Sequence, residues 1–275
     1  MDRLQAHRLF FAKLITANAG IAPGSELEGA LASTAREKFV GPPPWRIYTR
    51  SGYVESPTDD PALLYQDVVV SLGGEGPFNN GQPTLHAFCL AALDVKRGER
   101  VVHVGAGTGY YTTLLAKLVG ETGAVDAYEI EPEFARRATK NLAEFSCAAV
   151  HDHSGTEGSL PECDVLYVSA GATGPLDVWL DALRSKGRLL FPMTAADGAG
   201  AMLLITKQED GGLAARFLLQ AQFVPCAGAR DEGTAQRLSE AFHNSGWAKV
   251  KSLHRNDAVD ESCWFAGEGW WLSTR

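Results

Sequence analysis

The chain has 275 residues, of which 45% are hydrophobic and 21% are charged, as in ordinary globular proteins. Its 33 acidic and 25 basic residues give a formal net charge of −8, which argues against broad binding to a nucleic-acid backbone. No uninterrupted apolar run approaches the length of a membrane span, and the first residues lack the plan of a secretion signal. Five scattered cysteines without a C-x-x-C pair favour reduced thiols and a cytoplasmic location.

Two helices and a turn-rich region are expected before residue 84. Apolar residues recur at near-helical spacing over residues 4–15, which predicts a first helix. Ser25 and Glu28 form a capping-box pattern that predicts the start of a second helix. Residues 46–83 contain many turn formers and few periodic runs.

From residue 84 onward, a predicted helix leads into alternating strands and helices. The strands are expected at 100–104, 124–129, 147–151, 163–169 and 187–192, and the helices at 108–119, 132–143 and 176–183. This alternation predicts an α/β fold, Rossmann-like and doubly wound, with a mostly parallel sheet of about seven strands. Two further strands, 200–207 and 214–225, are expected to pair antiparallel at the far edge.

These elements suggest three parts in the chain. Residues 1–83 form an N-terminal helical and substrate-loop region, and residues 84–228 form the α/β domain. Residues 229–275 hold one amphipathic helix and an aromatic tail, which we expect to pack on the core.

The stretch from Val101 to Glu129 carries the main functional signal. A strand rich in β-branched residues is followed by Gly105-Ala106-Gly107-Thr108-Gly109, then by an apolar helical run, and Glu129 comes at the tip of the next strand. The glycines permit a tight turn close to a ligand, and the helix that follows presents its free amides. A carboxylate at the next strand tip can accept both hydroxyls of a ribose. The pattern therefore predicts a site for a nucleoside-containing small molecule.

The spacing of the glycines indicates which nucleoside compound binds. A dinucleotide loop has the pattern G-x-G-x-x-G, whereas here the third glycine comes one residue early and Tyr110 takes the dinucleotide position. The shorter spacing is usual in methyltransferases that use S-adenosylmethionine. A NAD-dependent oxidoreductase that uses the same loop is the alternative.

Several stretches, taken in their order along the chain, resemble the protein-L-isoaspartate O-methyltransferase family. They are residues 35–40, 65–67, 81–82, 101–115, 125–129, 163–172, 187–192 and 223–225. The resemblance covers roughly residues 30–228, and motifs in one fixed order are more specific than any single motif. It implies S-adenosylmethionine as cofactor, S-adenosylhomocysteine as product, and a carboxylate of a protein or peptide as the methyl acceptor. An isoaspartyl or related carboxylate is expected.

The resemblance also implies a role for each position of the cofactor site. The backbone of residues 105–109 would run beside the methionine portion, and Glu129, followed by Ile130, would hold the ribose. Asp152 matches the acidic residue that bonds the adenine amino group, and Ser169-Ala170 ends the strand that borders the sulfonium. For the two acidic residues, a solvated carboxylate at a strand end is the alternative interpretation.

The acceptor side departs from the family pattern. In the family, Gly-Gln is followed by Thr, an apolar residue and a Ser whose hydroxyl meets the substrate, but Leu85 stands at the serine position here. Gln82 and Thr84 are the catalytic candidates, which would orient the acceptor carboxylate by hydrogen bonds. Thr84 is alternatively the N-cap of the next helix. His103 replaces a usual acidic residue and is interpreted as a buried core histidine. Because a carboxylate acceptor is already anionic near neutral pH, alignment and exclusion of water matter more than a general base.

The sequence also bears on metal binding, on a non-enzymatic role and on other partners. His151 and His153 share a strand face, but no third histidine or paired cysteine follows at a familiar spacing, so no metal site is predicted. A methyltransferase-like domain that has lost turnover and acts as a binding protein through its aromatic tail is the non-enzymatic alternative. Neither a nucleic acid nor a membrane is expected as a partner, and the pattern carries no signal for oligomeric state.

Overall fold

The structure is a computed structural model that describes residues 2–74 and 76–275. Within these residues the α-helices are α1 (Arg3–Asn18), α2 (Glu26–Ala32), α3 (Pro83–Leu93), α4 (Tyr110–Val119), α5 (Pro132–Asn141), α6 (Asp177–Asp181) and α7 (Glu232–His243). The strands are β1 (Arg46–Thr49), β2 (Gly52–Glu55), β3 (Arg100–Val104), β4 (Ala124–Tyr128), β5 (Ala148–His151), β6 (Cys163–Val168), β7 (Leu183–Thr194), β8 (Gly200–Lys207), β9 (Leu213–Gln220), β10 (Ser252–Arg255), β11 (Cys263–Ala266) and β12 (Trp270–Ser273). The chain divides into two compact units. One comprises the residues up to Glu99 together with Ala106–His153, and the other comprises Arg100–Gly105 together with Ser154–Arg275.

In the first unit, capping side chains fix where the two N-terminal helices begin. Asp2 Oδ1 accepts a hydrogen bond from the Leu4 amide at 2.9 Å, and Ser25 Oγ accepts one from the Glu28 amide at 3.2 Å. The Glu28 carboxylate accepts the amide of Gly24, one residue before the cap. The Ser25 hydrogen bond of the predicted capping box therefore forms. The Glu28 side chain bonds the amide one residue before the cap instead of the amide of the cap itself. α1 packs against both α2 and α3.

The first unit also contains two strand pairs. β4 and β5 run parallel, with Tyr128 opposite His151 in the register, and α4 and α5 pack against them. β1 and β2 form an antiparallel hairpin. The hairpin was not predicted, because its strands are four residues long and lie in a segment rich in turn formers.

In the second unit, eight strands form a sheet in the order β11-β12-β10-β9-β8-β7-β6-β3. β3, β6 and β7 are parallel to one another, and each later neighbour pair is antiparallel. Residues 165–168 of β6 are fully buried. A run of consecutive buried apolar residues is what a strand covered on both faces requires. The predicted alternation of strands and helices from residue 100 to residue 207 is confirmed, and β7 extends beyond the predicted 187–192 at both ends.

The segment after residue 229 contains more regular structure than the sequence predicted. The amphipathic helix is confirmed as α7, but the aromatic tail forms β11 and β12. β10 pairs with β9 on one side and with β12 on the other, which adds the tail to the antiparallel side of the sheet. Trp271 and Leu272 of β12 are buried there. Four-residue strands are too short to show a clear period-two pattern in the sequence.

Candidate functional site

The glycine-rich loop after β3 is held to the end of β4. The Ala106 amide donates to the Tyr128 carbonyl at 3.1 Å, and the Gly109 amide donates to the Ala106 carbonyl at 3.0 Å, which closes the turn. Gly109 has a φ of +90°, and a Cβ built there would lie 3.3 Å from Ala138 Cα in α5. The loop therefore needs glycine at this position, both for its conformation and for the close approach of α4 to α5.

Glu129 is a buried carboxylate that is bonded to this loop. Its side chain accepts the Gly107 amide at 2.6 Å through Oε2 and the Glu131 amide at 2.9 Å through Oε1. The residue is only 6% exposed. Burial raises the pKa of the Glu129 carboxyl, while hydrogen bonds from backbone amides oppose that rise. Because each carboxylate oxygen has a second lone pair, Glu129 can still accept hydroxyl groups from a ligand.

Two other predicted cofactor residues lie beside Glu129 or at the matching strand end. Glu129 follows Tyr128, and Asp152 follows the residue paired with Tyr128 in β5, so both acidic residues come at the same end of two paired strands. Asp152 is exposed. Ile130 is 49% exposed, although it directly follows the buried Glu129. An exposed isoleucine beside a buried acid suits the apolar face of a ligand.

The histidines next to Asp152 have other contacts. His151 Nε2 lies 3.0 Å from Asp126 Oδ1, and the His151 ring stacks on Tyr128 with centroids 4.6 Å apart. His153 packs edge-on against Tyr128 at 5.3 Å. Across residues 2–74 and 76–275, no three His, Cys, Asp or Glu side chains are grouped as ligands for a metal ion.

In the second unit, Ser169 lies just past the end of β6 and contacts His103 of β3. His103 Nε2 is 3.0 Å from Ser169 Oγ, and the His103 ring stacks on Tyr167 at 5.3 Å. Burial lowers the pKa of His103 to about 3, so the imidazole is neutral near pH 7. Ser169 and Ala170 are both partly exposed, and a Cβ built on Gly105 would lie 3.5 Å from the carbonyl carbon of Ser169.

On the acceptor side, Asp67 holds the start of α3. Its Oδ1 accepts the Thr84 amide at 2.9 Å, and its Oδ2 accepts Gln82 Nε2 at 3.0 Å. Gln82 is the N-cap residue of α3 and Pro83 is its first residue, so the alternative interpretation of Thr84 as the N-cap is wrong. Asp67 satisfies the helix terminus from a distant segment, which the local sequence pattern could not indicate.

The hydroxyl of Thr84 points inward. Thr84 Oγ1 is a buried atom that has no hydrogen-bond partner among the residues described. Gln82, in contrast, is exposed, and its carbonyl oxygen is not used by Asp67. Before them, Gly81 has a φ of +67°, and a Cβ there would come within 2.1 Å of His86 Nε2. The sharp turn into α3 therefore depends on glycine.

Arg36 fixes the segment that carries Asp67. Its guanidinium donates to the carbonyls of Leu64, Gln66 and Val68 at 2.6, 2.8 and 2.5 Å. Arg36 is fully buried, and that burial lowers the pKa of its guanidinium. The rigid fork of an arginine can bind several carbonyls at fixed angles, so Asp67 is held between clamped neighbours.

Comparison with known proteins identifies the family. The family model described as protein-L-isoaspartate(D-aspartate) O-methyltransferase matches residues 15–231. The chain belongs to this family. It is 28% identical to the protein-L-isoaspartate O-methyltransferase of Brucella anthropi over 208 residues, which are 72% of this chain and 84% of that relative. It is 31% identical to one from an Anaeromyxobacter species over 202 residues, 71% of this chain and 73% of the relative.

Solved structures show the same fold. A protein-L-isoaspartate O-methyltransferase superposes with a TM-score of 0.68 at 19% identity, over 93% of this chain and 74% of that one. A Plasmodium falciparum structure named for the same enzyme, in complex with S-adenosyl-L-homocysteine, gives a TM-score of 0.63 at 18% identity, over 80% and 98%. The predicted family, the Rossmann-like fold and the dependence on S-adenosylmethionine are confirmed, and the family match does not favour the NAD-dependent alternative.

The family match ends where the C-terminal segment begins. Residue 231 is the N-cap of α7, so α7 and β10–β12 lie outside the matched residues.

Within residues 2–74 and 76–275, no helix has both the length and the apolar character needed to cross a bilayer.

Proposed function

We propose that this protein transfers the methyl group of S-adenosylmethionine to an isoaspartyl or related carboxylate of a protein or peptide. The family activity is methyl transfer of this kind. The observation in the structure that supports the proposal best is the buried Glu129 carboxylate, bonded to the glycine loop through the Gly107 amide. A buried acid that keeps free lone pairs beside a glycine-rich turn matches the needs of a ribose.

The cofactor site is assigned residue by residue. Glu129 would accept the ribose hydroxyls, exposed Ile130 would contact the adenine ring, and exposed Asp152 would accept its amino group. When bound, the cofactor supplies an electrophilic methyl group on a sulfonium. Gly105 and Ser169-Ala170 stay candidates for the methionine portion, from their positions in the family motifs.

Acceptor orientation is assigned to Gln82 and Thr84. The exposed Gln82 amide keeps its carbonyl oxygen and one N–H for an incoming group, because Asp67 uses only one N–H. The Thr84 hydroxyl is buried and lacks a partner among the described residues, so a shift of the loop that brings it to the acceptor would satisfy it. No proton has to be removed from a carboxylate acceptor near neutral pH, which is why amide and hydroxyl groups suffice.

Methyl transfer from labelled cofactor to an isoaspartyl peptide tests this function, with the matching aspartyl peptide as control acceptor. We expect transfer to the isoaspartyl peptide, and about a tenfold lower kcat/KM for Gln82→Ala or Thr84→Val, the loss of one hydrogen bond to a charged group. Leu85→Ser restores the family residue and reports whether that position contacts the acceptor. A protein that binds S-adenosylhomocysteine but methylates neither peptide would contradict the proposal and favour the binding-protein alternative.

The compartment belongs to the same proposal. We place the protein in the cytoplasm on the basis of its five scattered cysteines and the absence of a C-x-x-C pair in the sequence.

A further inference from the structure

The hairpin formed by β1 and β2 presents an aromatic and cationic face to solvent. Tyr48 is 55% exposed, and its ring packs edge-on against Tyr53 with centroids 5.5 Å apart. The guanidinium of exposed Arg46 lies 4.9 Å from the centre of the Tyr53 ring. Because Tyr48 is opposite Tyr53 in the register, these side chains lie on one face of the hairpin. We call Arg46, Tyr48 and Tyr53 the aromatic face.

The opposite face of β1 anchors the hairpin to the first unit. Ile47 packs against a hydrophobic cluster that includes Trp45 and Val70. Val54, which is opposite Ile47 in the register, lies on this same side but is 58% exposed. The aromatic face is therefore the side of a fixed hairpin that points away from the core.

Backbone hydrogen bonds connect the hairpin to the residues just before Gln82, which we call the acceptor segment. β1 bonds to residues 69–71, since the Tyr48 amide donates to the Val69 carbonyl and the Ser71 amide donates to the Arg46 carbonyl, both at 2.9 Å. Residues 70–72 in turn bond to residues 78–80, with the Asn80 amide donating to the Val70 carbonyl at 3.0 Å. Four extended segments, which we call ribbons, thus lie side by side in the order β2, β1, residues 69–71 and residues 78–80.

The aromatic face continues across these ribbons. In antiparallel pairing, residues that face each other point to the same side. Arg46 is opposite Ser71, and Ser71 is opposite Asn79, so the three share the face of Tyr48. Asn79 Oδ1 then accepts the Gly81 amide at 2.9 Å, directly before Gln82. One partly exposed surface therefore runs from the two tyrosines to the start of the acceptor segment.

We propose that the aromatic face binds the polypeptide that carries the methylated carboxylate, at residues flanking that carboxylate. This inference rests on the proposed function, because the segment at Gln82 is assigned there as the acceptor contact. A polypeptide acceptor extends beyond its reacting residue, and the surface that continues from Gln82 is the one it meets. Tyrosine rings give contact area to apolar groups at a small entropic cost, and an arginine can pair with a carboxylate. Glu55, opposite Arg46 on the same face, offsets part of its charge, so the rings supply most of the contact.

The spacing of the ribbons sets the length of acceptor that can reach this face. Neighbouring ribbons are about 4.8 Å apart, so β1 lies roughly 10 Å and β2 roughly 14 Å from the ribbon that contains Asn79. A tripeptide centred on the reacting residue extends only about 5 Å to each side, whereas a peptide of about 15 residues extends about 25 Å. Only the longer acceptor can therefore contact Tyr48 and Tyr53.

Steady-state kinetics with two acceptors tests the inference. A capped isoaspartyl tripeptide and a peptide of about 15 residues with the same central sequence are compared on the wild type, on the double variant Tyr48→Ala/Tyr53→Ala, and on Val54→Ser. The last is a matched control, because it changes an exposed side chain on the other face of the same hairpin. Affinity for S-adenosylhomocysteine and the melting temperature report whether each variant keeps its fold.

The wild type should have a lower KM for the long peptide than for the tripeptide. The double variant should raise KM for the long peptide about tenfold with little change in kcat, and should leave the tripeptide and the cofactor affinity unchanged. Val54→Ser should behave as the wild type. An unchanged KM for the long peptide, an equal rise for the tripeptide, or a dimer that the double variant dissociates would each overturn the inference. If the wild type methylates neither peptide, the proposed function itself fails.

Discussion

Asp67→Ala should release the start of α3 without changing the affinity for the cofactor. The change removes the acceptors of the Thr84 amide and of Gln82 Nε2, which lie 2.9 and 3.0 Å away. Two hydrogen bonds to a carboxylate would contribute about 3–5 kcal/mol if buried, but Gln82 is exposed and Asp67 is partly exposed, so we expect about 2 kcal/mol. About 0.5 kcal/mol of this comes from the favourable interaction of the Asp67 charge with the dipole at the N-terminus of α3.

The lost free energy is the energy that holds Gln82 and Thr84, the residues assigned to position the acceptor. About 2 kcal/mol corresponds to roughly a 30-fold change in an equilibrium constant, so KM for an isoaspartyl peptide should rise by roughly 10- to 30-fold. Asp67→Asn keeps an oxygen for the Thr84 amide, and the Gln82 amide can turn to present its oxygen, so its KM should rise only about threefold.

Steady-state kinetics and calorimetric titration with S-adenosylhomocysteine measure the two effects separately. Asp59→Ala, at an exposed acid of the same region, is the control and should change neither quantity. Asp67 does not position Gln82 and Thr84 if Asp67→Ala leaves KM within about twofold of the wild type. The same follows if the variant lowers the affinity for S-adenosylhomocysteine as strongly as it raises KM for the acceptor.

Two further changes have defined outcomes. Arg36→Lys cannot reproduce the three carbonyl contacts of the fork, and we expect a loss of roughly 3 kcal/mol in unfolding free energy, measured by urea denaturation; an unchanged midpoint would contradict the clamp. His103 has its pKa lowered to about 3 by burial, whereas an unfolded histidine titrates near 6.5. The unfolded chain therefore binds the extra proton between pH 6.5 and 3, and stability should fall as pH drops through this window, by up to about 1.4 kcal/mol per pH unit. His103→Asn should flatten that slope in denaturation series at several pH values, while the exposed-residue control His7→Asn should retain it.

The sequence predicted the central α/β elements because their signals are local. The run from Val101 to Val104 and the glycine loop carry strong strand and turn preferences, and these elements form as expected. Glu129 was assigned from its place at a strand end, and it does lie beside the loop, at 2.6 Å from the Gly107 amide. Its role toward a ribose stays a prediction.

The acceptor side was less predictable because its key contacts are distant in sequence. Asp67 is 17 residues from the amide it accepts, and Arg36 is 28–32 residues from the carbonyls it binds. Both residues lie inside motifs that carried the family resemblance, but no local pattern gives their partners. The buried position of the Thr84 hydroxyl likewise follows from packing around α3 rather than from its neighbours in the chain.

The central claim is that the Glu129 carboxylate binds the ribose of the cofactor. Isothermal titration of S-adenosylhomocysteine into Glu129→Gln tests it directly, because the change keeps the side-chain shape and removes the charge. Asp126→Asn, in the strand that ends just before Glu129 and bonded to His151, is the matched control.

We expect Glu129→Gln to weaken binding by at least about tenfold, as expected for losing a charge-assisted hydrogen bond. Burial raises the pKa of Glu129, and only the ionised form accepts both hydroxyls, so wild-type affinity should fall on acidification at a pH above the usual glutamate range. Glu129→Gln should lack that pH dependence. Equal affinities of the variant and the wild type for S-adenosylhomocysteine at pH 7 would contradict the claim.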